Sequence, residues 1–104
     1  MKVDLHSHSY YSDGVYSPSE VIDLANQVKC DLFSLTDHDT TDGLSEAQER
    51  TDNLSINFIP GVEISAFWRN MTIHILGLGI NVNNELLQKG LRRNQELRKE
   101  RAAK

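Results

Sequence analysis

The chain has 104 residues, 38% of them apolar and 25% charged, with a formal net charge of −4. That length supplies one small domain and excludes two; no apolar run approaches the roughly 20 residues of a membrane span, and no basic segment leads into an apolar stretch as a secretion signal would. The single cysteine, Cys30, excludes an intramolecular disulfide and fits a small buried residue in a reducing cytoplasm.

The charge is uneven along the chain. Residues 1–88 carry four Lys/Arg and thirteen Asp/Glu, a net of −9, whereas residues 89–104 carry seven Lys/Arg and two Glu, a net of +5. An acidic body concentrates cations and makes a poor nucleic-acid surface. The basic tail reads first as a solvated helix face and second as a phosphate contact.

KVDL at residues 2–5 alternates polar and apolar and predicts a short strand. Ser17-Pro18-Ser19-Glu20 has the form of a helix start: Ser17 caps, Pro18 suits the first helical position, and Glu20 completes a capping box. Val21, Leu24, Ala25 and Val28 then fall on one helical face. Leu32 to Thr36 has the pattern of a buried strand, and Thr41 to Arg50 that of a weaker helix with Leu44 and Ala47 facing inward. INFIPGV at 56–62 predicts a third strand, broken at Pro60-Gly61, and MTIHILGL at 71–78 a fourth. Asn83 or Asn84 can cap a last helix, whose thin apolar face is Leu87 and Leu91 and whose middle holds Gly90. No repeat or low-complexity segment is present. The alternation of strand and helix implies a largely parallel sheet or barrel, in which chemistry sits at the C-terminal strand ends.

All the histidines fall at or near those predicted strands. His6 and His8 follow the first strand, Asp37-His38-Asp39 the second and Glu63 extends the third, while His74 lies in the fourth. Each has an ordinary explanation alone. Asp13-Gly14 suits a turn, Glu63 a strand-edge charge, His74 a buried hydrogen-bonded residue, and Asp37 or Thr36 a helix cap. One metal site explains them together. Imidazole and carboxylate without thiolate suit zinc, manganese or iron. His6 and His8 share a face if the strand continues through them. Four histidines and two suitable carboxylates exceed the three or four ligands of a single zinc. The surplus points to two or more metals, with a carboxylate such as Glu63 bridging them. Such clusters activate hydroxide and stabilise charge on a phosphoryl group.

DLHSHS, SDG, TDHDT, PGVEIS and IHILGL, in this order, resemble the PHP (polymerase and histidinol phosphatase) superfamily, and RRNQ at 92–95 adds a likeness to its TrpH-type phosphoesterases. The resemblance implies an α/β fold: the N-terminal part of a distorted (β/α)7 PHP barrel, about four strands with flanking helices. It implies that His6 and His8 bind one metal, Asp13 and His38 a second, that Glu63 bridges, and that His74 binds the remaining ion. The cofactors expected are two or three divalent ions, Mn²⁺, Zn²⁺ or Fe²⁺. Glu63 and His8 are also the catalytic candidates, and Asp37 and Asp39 are expected to orient the imidazoles. Ser7 and Ser9 are poor nucleophile candidates, because the imidazoles beside them are committed to metal.

The implied activity is hydrolysis of phosphomonoesters, 3′,5′-bisphosphorylated nucleosides or RNA from its 5′ end, by a metal-activated hydroxide. The family's later motifs, a further histidine and an Asp-x-His pair, have no counterpart: no histidine follows His74 and no aspartate follows Asp52. The chain is therefore expected to be a fragment, residues 1–104 forming the N-terminal part of a PHP domain and 83–104 a basic helix leading toward a missing remainder. Its open sheet edges are expected to favour a homo-oligomer. The alternatives are a metal-dependent amidohydrolase and a non-catalytic metal-binding or interaction module.

Overall fold

The computed structural model describes residues 1–102, with side chains to Glu100; the last two residues of the expected basic helix lie outside the described residues. The strands are β1 (Val3–Asp4), β2 (Leu32–Leu35), β3 (Asn57–Trp68) and β4 (Met71–Leu78). The helices are α1 (Pro18–Gln27), α2 (Leu44–Thr51) and α3 (Glu85–Ala102). The four strands form one sheet in the order β1-β2-β3-β4. The first three run parallel, and β4 returns antiparallel to β3.

The capping box of α1 forms as its residues require. Ser17 Oγ accepts from the Glu20 amide and Glu20 Oε1 from the Ser17 amide, both at 3.1 Å. The helix buries Pro18, Val21, Ile22 and Ala25. Two members of the expected apolar face, Leu24 and Val28, are instead 42% and 56% exposed. The helix is rolled so that Ile22 takes the wholly buried place, and Leu24 and Val28 flank a groove beside Tyr16 and Phe33 near the β1 edge. The core lies between these helices and the sheet, built from Val21, Ile22, Phe33, Leu35, Leu44, Ala47 and Ile56 with their smaller neighbours.

Expected boundaries move: strand β3 runs from Asn57 to Trp68, past the expected end at Val62, so Glu63 lies inside it. Helix α2 begins at Leu44 rather than Thr41, because Thr40 Oγ1 accepts from the Asp42 amide and the Thr41 carbonyl from Leu44, closing a turn first. Strand β3 is not broken at Pro60-Gly61. Pro60 pairs with Leu35 at the end of the β2 ladder, and the β4 ladder begins at Gly61 opposite Leu78. The Pro60 carbonyl points past the end of β4, where it accepts from Gly79 and Ile80. Its missing N–H faces the same side, so neither ladder loses a bond.

Asn84, the second of the two expected caps, accepts from the Leu87 amide at 2.9 Å to start α3. Leu91 is buried and Leu87 half-buried, as their spacing suggested. Among the described residues no helix is long and apolar enough to cross a membrane.

Candidate metal centre

Strand β1 ends at Asp4, before His6 and His8. The chain nevertheless stays extended beside β2: the Ser7 carbonyl accepts from the Thr36 amide, and Ser7 Oγ donates to the Ser34 carbonyl, both at 2.8 Å. Ser7 thus faces β2, and its two neighbours turn together the other way. Beyond Leu35, a single parallel bridge joins His38 to Glu63, with Glu63 N–H to Asp37 carbonyl at 3.0 Å and Asp39 N–H to Glu63 carbonyl at 2.9 Å. On β4, His74 lies opposite Ser65, diagonal to Glu63 on the same face. The ends of β1 and β2, the middle of β3 and one cross-strand neighbour therefore aim at one point.

Glu63 forms the floor. Its side chain is 3% exposed, and its carboxylate meets all four imidazoles. Oε1 contacts His6 Nε2 and lies 3.1 Å from His8 Nε2; Oε2 lies 3.0 Å from His38 Nδ1 and 2.5 Å from His74 Nδ1. Asp13, exposed at the rim, joins the other two ring nitrogens: Oδ1 is 2.6 Å from His8 Nδ1 and Oδ2 3.1 Å from His38 Nε2. All six residues that the sequence singled out as ligands thus come together. They fall into three overlapping groups able to hold an ion: His6, His8 and Glu63; His8, Asp13 and His38; and His38, Glu63 and His74.

The donor set itself fits cations. His8 and His38 each turn both ring nitrogens toward carboxylate oxygens. A neutral imidazole has only one N–H, so one nitrogen of each ring would present a lone pair to an anionic oxygen. Protonation would relieve this, but burial dominates the His38 balance and holds its pKa below the ordinary value, against the pull of Glu63 and Asp13. Although His38 Nδ1 lies within 3.0 Å of Glu63 Oε2, the approach lacks hydrogen-bond geometry, and this buried atom has no hydrogen-bond partner. Ligand atoms about 3 Å apart are also what bonds of about 2.1 Å to one ion require.

Both carboxylates are held ionised. Burial pulls Glu63 upward, but the hydrogen bond from His8, the charge of His38 and the bonds from His6 and His74 outweigh it and lower its pKa. Asp13 is lowered in the same way, its small desolvation overcome by His8 and then His38.

Asp37 and Asp39 do not bond to the imidazoles as expected: Asp37 reaches the loop of Ser9 and Ser12, and the left-handed backbone at Asp39 turns its carboxylate toward Ser65 and α3. Asp37 accepts from the Ser9 amide and Ser9 Oγ, both at 2.6 Å, and from Ser12 Oγ at 2.8 Å. Asp39, wholly buried in the left-handed region at φ 54, accepts from the Ser65 amide at 2.8 Å, Ser65 Oγ at 2.6 Å and Asn94 Nδ2 at 2.9 Å. Arg98 Nε lies 3.1 Å from its Oδ2, and Gln95 Nε2 donates to its carbonyl at 2.7 Å. Burial raises the Asp39 pKa, yet these bonds and the Arg98 charge bring it below the ordinary value. Sequence reasoning assigned no such role to Ser9, Ser12, Ser65, Asn94 or Arg98. The signal available was only the position of Ser9, Ser12, Ser65 and Asn94 inside DLHSHS, SDG, GVEIS and RRNQ, with Arg98 outside these motifs, because the partners lie 25 or more residues apart.

Known proteins resemble this chain in sequence and in fold. A 3′,5′-nucleoside bisphosphate phosphatase of Chromobacterium violaceum is 47% identical over 100 residues, covering 96% of this chain and 35% of the relative. The 5′-3′ exoribonuclease Rnm of Escherichia coli is 41% identical over 101 residues, covering 95% of this chain and 34% of the relative. The chain therefore spans about a third of the length of these curated relatives. A Chromobacterium violaceum structure described as an amidohydrolase, with sulfate bound and no metal, superposes with a TM-score of 0.94 at 46% identity over 99% of this chain and 36% of that one. A Bifidobacterium adolescentis structure assigned as a metal-dependent phosphoesterase follows at a TM-score of 0.83 and 27% identity, covering 89% of this chain and 32% of that one. The four strands with their flanking helices are thus the α/β arrangement that the resemblance implied. Residues 4–97 match the family model described as the PHP domain, and the chain belongs to the PHP-domain family.

Proposed function

We propose that this chain is the N-terminal, metal-binding part of a metal-dependent phosphoesterase that hydrolyses 3′,5′-bisphosphorylated nucleosides, or RNA from its 5′ end. One observation carries the reading: the buried carboxylate of Glu63 faces four imidazoles, two at each oxygen. In this reading His6, His8 and Glu63 hold one divalent ion, Asp13 and His38 a second, and His74 with Glu63 a third, with manganese, zinc or iron as occupants. Bound ions would supply an acidified water and positive charge beside the phosphoryl oxygens.

The chain's own residues prepare that chemistry. Glu63 stays ionised because imidazole contacts outweigh its burial, and His38 stays neutral because burial disfavours its charge. Both are therefore in ligating form at neutral pH. In this reading Glu63 and His8 are the catalytic candidates: Glu63 shares its two oxygens among four imidazoles, and His8, like His38, contacts both carboxylates. Arg98 is held by Asp39, leaving Arg92 and Arg93, both exposed on α3, as the nearby basic pair in the RRNQ segment. The substrate class is supported by the activities named for the phosphatase and exoribonuclease relatives. A cytoplasmic setting belongs to the same reading and is compatible with the free, buried Cys30.

The whole reaction belongs to a longer protein carrying the family's Asp-x-His pair. That protein, given Mn²⁺ and adenosine 3′,5′-bisphosphate, should release inorganic phosphate and stop doing so on His8→Ala. The 104-residue chain, about a third of its relatives' length, should release little, since in this reading part of each ion's coordination comes from the longer protein. Turnover by the short chain at a comparable rate would show that the six residues present suffice. Absence of turnover by the longer protein would overturn the phosphoesterase reading, and hydrolysis of a cyclic amide instead would favour the amidohydrolase activity described for one structural neighbour.

A further inference from the structure

Asp37 is 2% exposed, and no cation pairs with its carboxylate among the described contacts; only the donors of Ser9 and Ser12 satisfy it. Burying a carboxylate in this way is costly unless several hydrogen bonds compensate. Those bonds all reach across 25 to 28 residues to one short loop. The loop is folded tightly around Ser9. The Ser9 carbonyl accepts from Ser12 at 3.1 Å and from Gly14 at 2.9 Å, and Ser9 Oγ accepts from Tyr11 at 3.2 Å. Gly14 packs against the His8 backbone so closely that a Cβ would stand 2.5 Å from the His8 carbonyl oxygen.

This loop carries His8 at its entrance and Asp13 at its far end. The Asp13 side chain is 62% exposed, and the contacts that place it are to two imidazoles, His8 and His38. Its position follows from the loop beneath and from those two imidazoles. That loop is fastened to the residue immediately before His38. The bonds of Ser7 to Ser34 and Thr36 hold the entrance of the loop beside β2, and Asp37 fastens the stretch between His8 and Asp13 to the residue before His38. By contrast, His6 lies before the loop, and Glu63 and His74 lie on β3 and β4, tied to one another by their own ladder.

We propose that Asp37 is a positioning residue for the part of the cluster that His8 and Asp13 ligate: it clamps residues 9–12 so that His8 and Asp13 converge on His38, and it has little influence on an ion held by Glu63 with His38 and His74. The proposal rests on the metal-centre reading above. Outer partners that orient metal ligands typically change affinity by about 10- to 100-fold when removed. Asp37→Asn keeps the size of the side chain but places an NH₂ group among donors that need acceptors. Ser12→Ala removes one of the three bonds and leaves both Ser9 bonds in place.

The test is titration of the 104-residue chain and of each variant with Mn²⁺ by calorimetry, and with Co²⁺ by visible absorption, with circular dichroism recording the fold. The wild-type chain should show more than one class of ion. Asp37→Asn should weaken one class about 10- to 100-fold and remove its cobalt absorption, leaving another class within about twofold. Ser12→Ala should weaken the same class by less. If Asp37→Asn does not fold, Ser12→Ala decides by the same criterion. Wild-type uptake of no Mn²⁺ would overturn the metal-centre reading and this proposal with it. Wild-type uptake with unchanged binding in the variants, or with equal loss of every class in a folded variant, would overturn the positioning role alone.

Discussion

Substituting Glu63 with glutamine tests the centre at its most shared point. The change preserves shape, and the backbone bonds of residue 63 to Asp37 and Asp39 do not involve the side chain. It replaces one carboxylate oxygen with an NH₂ group, which cannot ligate, and it removes the charge from the other. Each oxygen serves two imidazoles, and Glu63 belongs to two of the three groups able to hold an ion. The group keeping the amide oxygen should lose no less than the 10- to 100-fold typical of an outer partner, about 1.4 to 2.7 kcal/mol. The group meeting the NH₂ should lose its ion altogether. His6, half-exposed at the rim, belongs to one group only, so His6→Ala should weaken one class and spare the rest. The assay is metal content by elemental analysis after purification without chelators, followed by Mn²⁺ calorimetry. The wild-type chain should hold at least one equivalent, His6→Ala less, and Glu63→Gln least. If His6→Ala lost more metal than Glu63→Gln, or if Glu63→Gln matched wild type, Glu63 would not be the bridging residue.

Acid should destabilise the metal-free chain in two steps. Burial holds His38 below its ordinary 6.5, so the unfolded chain takes up a proton near that pH that the folded chain refuses, and stability falls as pH drops through 6.5. Glu63, Asp13 and Asp39 lie below their ordinary 4.5, 3.8 and 3.8, so their contribution is full above those values and is lost as pH falls through the folded pKa values. A urea midpoint unchanged between pH 7.5 and 5.5 would refute the first step. Gly61→Ala would set a Cβ 2.5 Å from Ser34 Oγ, 2.8 Å from Thr36 Cγ2 and 3.0 Å from the Gly77 carbonyl oxygen. It should cost about 1–3 kcal/mol, lowering the urea midpoint by roughly 1 M, and an unchanged midpoint would show that the strands yield freely. Strand β4 is an edge exposing Met71, Ile73, Ile75 and Leu78, and such edges invite pairing with other chains. Light scattering should therefore report a mass above the monomer; a monodisperse monomer with cooperative unfolding would contradict this.

Local chemistry made much of this protein legible in its sequence. The capping box at Ser17 and Glu20, the cap at Asn84, the buried run of β2 and the inward Leu44 and Ala47 depend on neighbours a few residues away, and short-range patterns record such dependence. The six candidate ligands were visible for a related reason: imidazoles and carboxylates that recur at strand ends have few other common purposes. Relations between distant segments were decided by the tertiary structure. The sequence places Pro60 inside an apolar run, but only the hand-over of β3 from β2 to β4 shows why the strand passes through it. The roll of α1 that exposes Leu24 and buries Ile22 depends on where the sheet lies, since both belong to plausible faces of the same helix. Asp37 and Asp39 flank a candidate ligand, and sequence alone assigns all three to one task. The backbone separates them, turning Asp37 to the loop that carries His8 and Asp13 and, through the left-handed conformation of Asp39, sending that carboxylate to Ser65, Asn94 and Arg98. Hydrogen bonds between residues 25 to 55 positions apart leave no periodicity in the chain, so they become readable only when folding brings the partners within 3 Å.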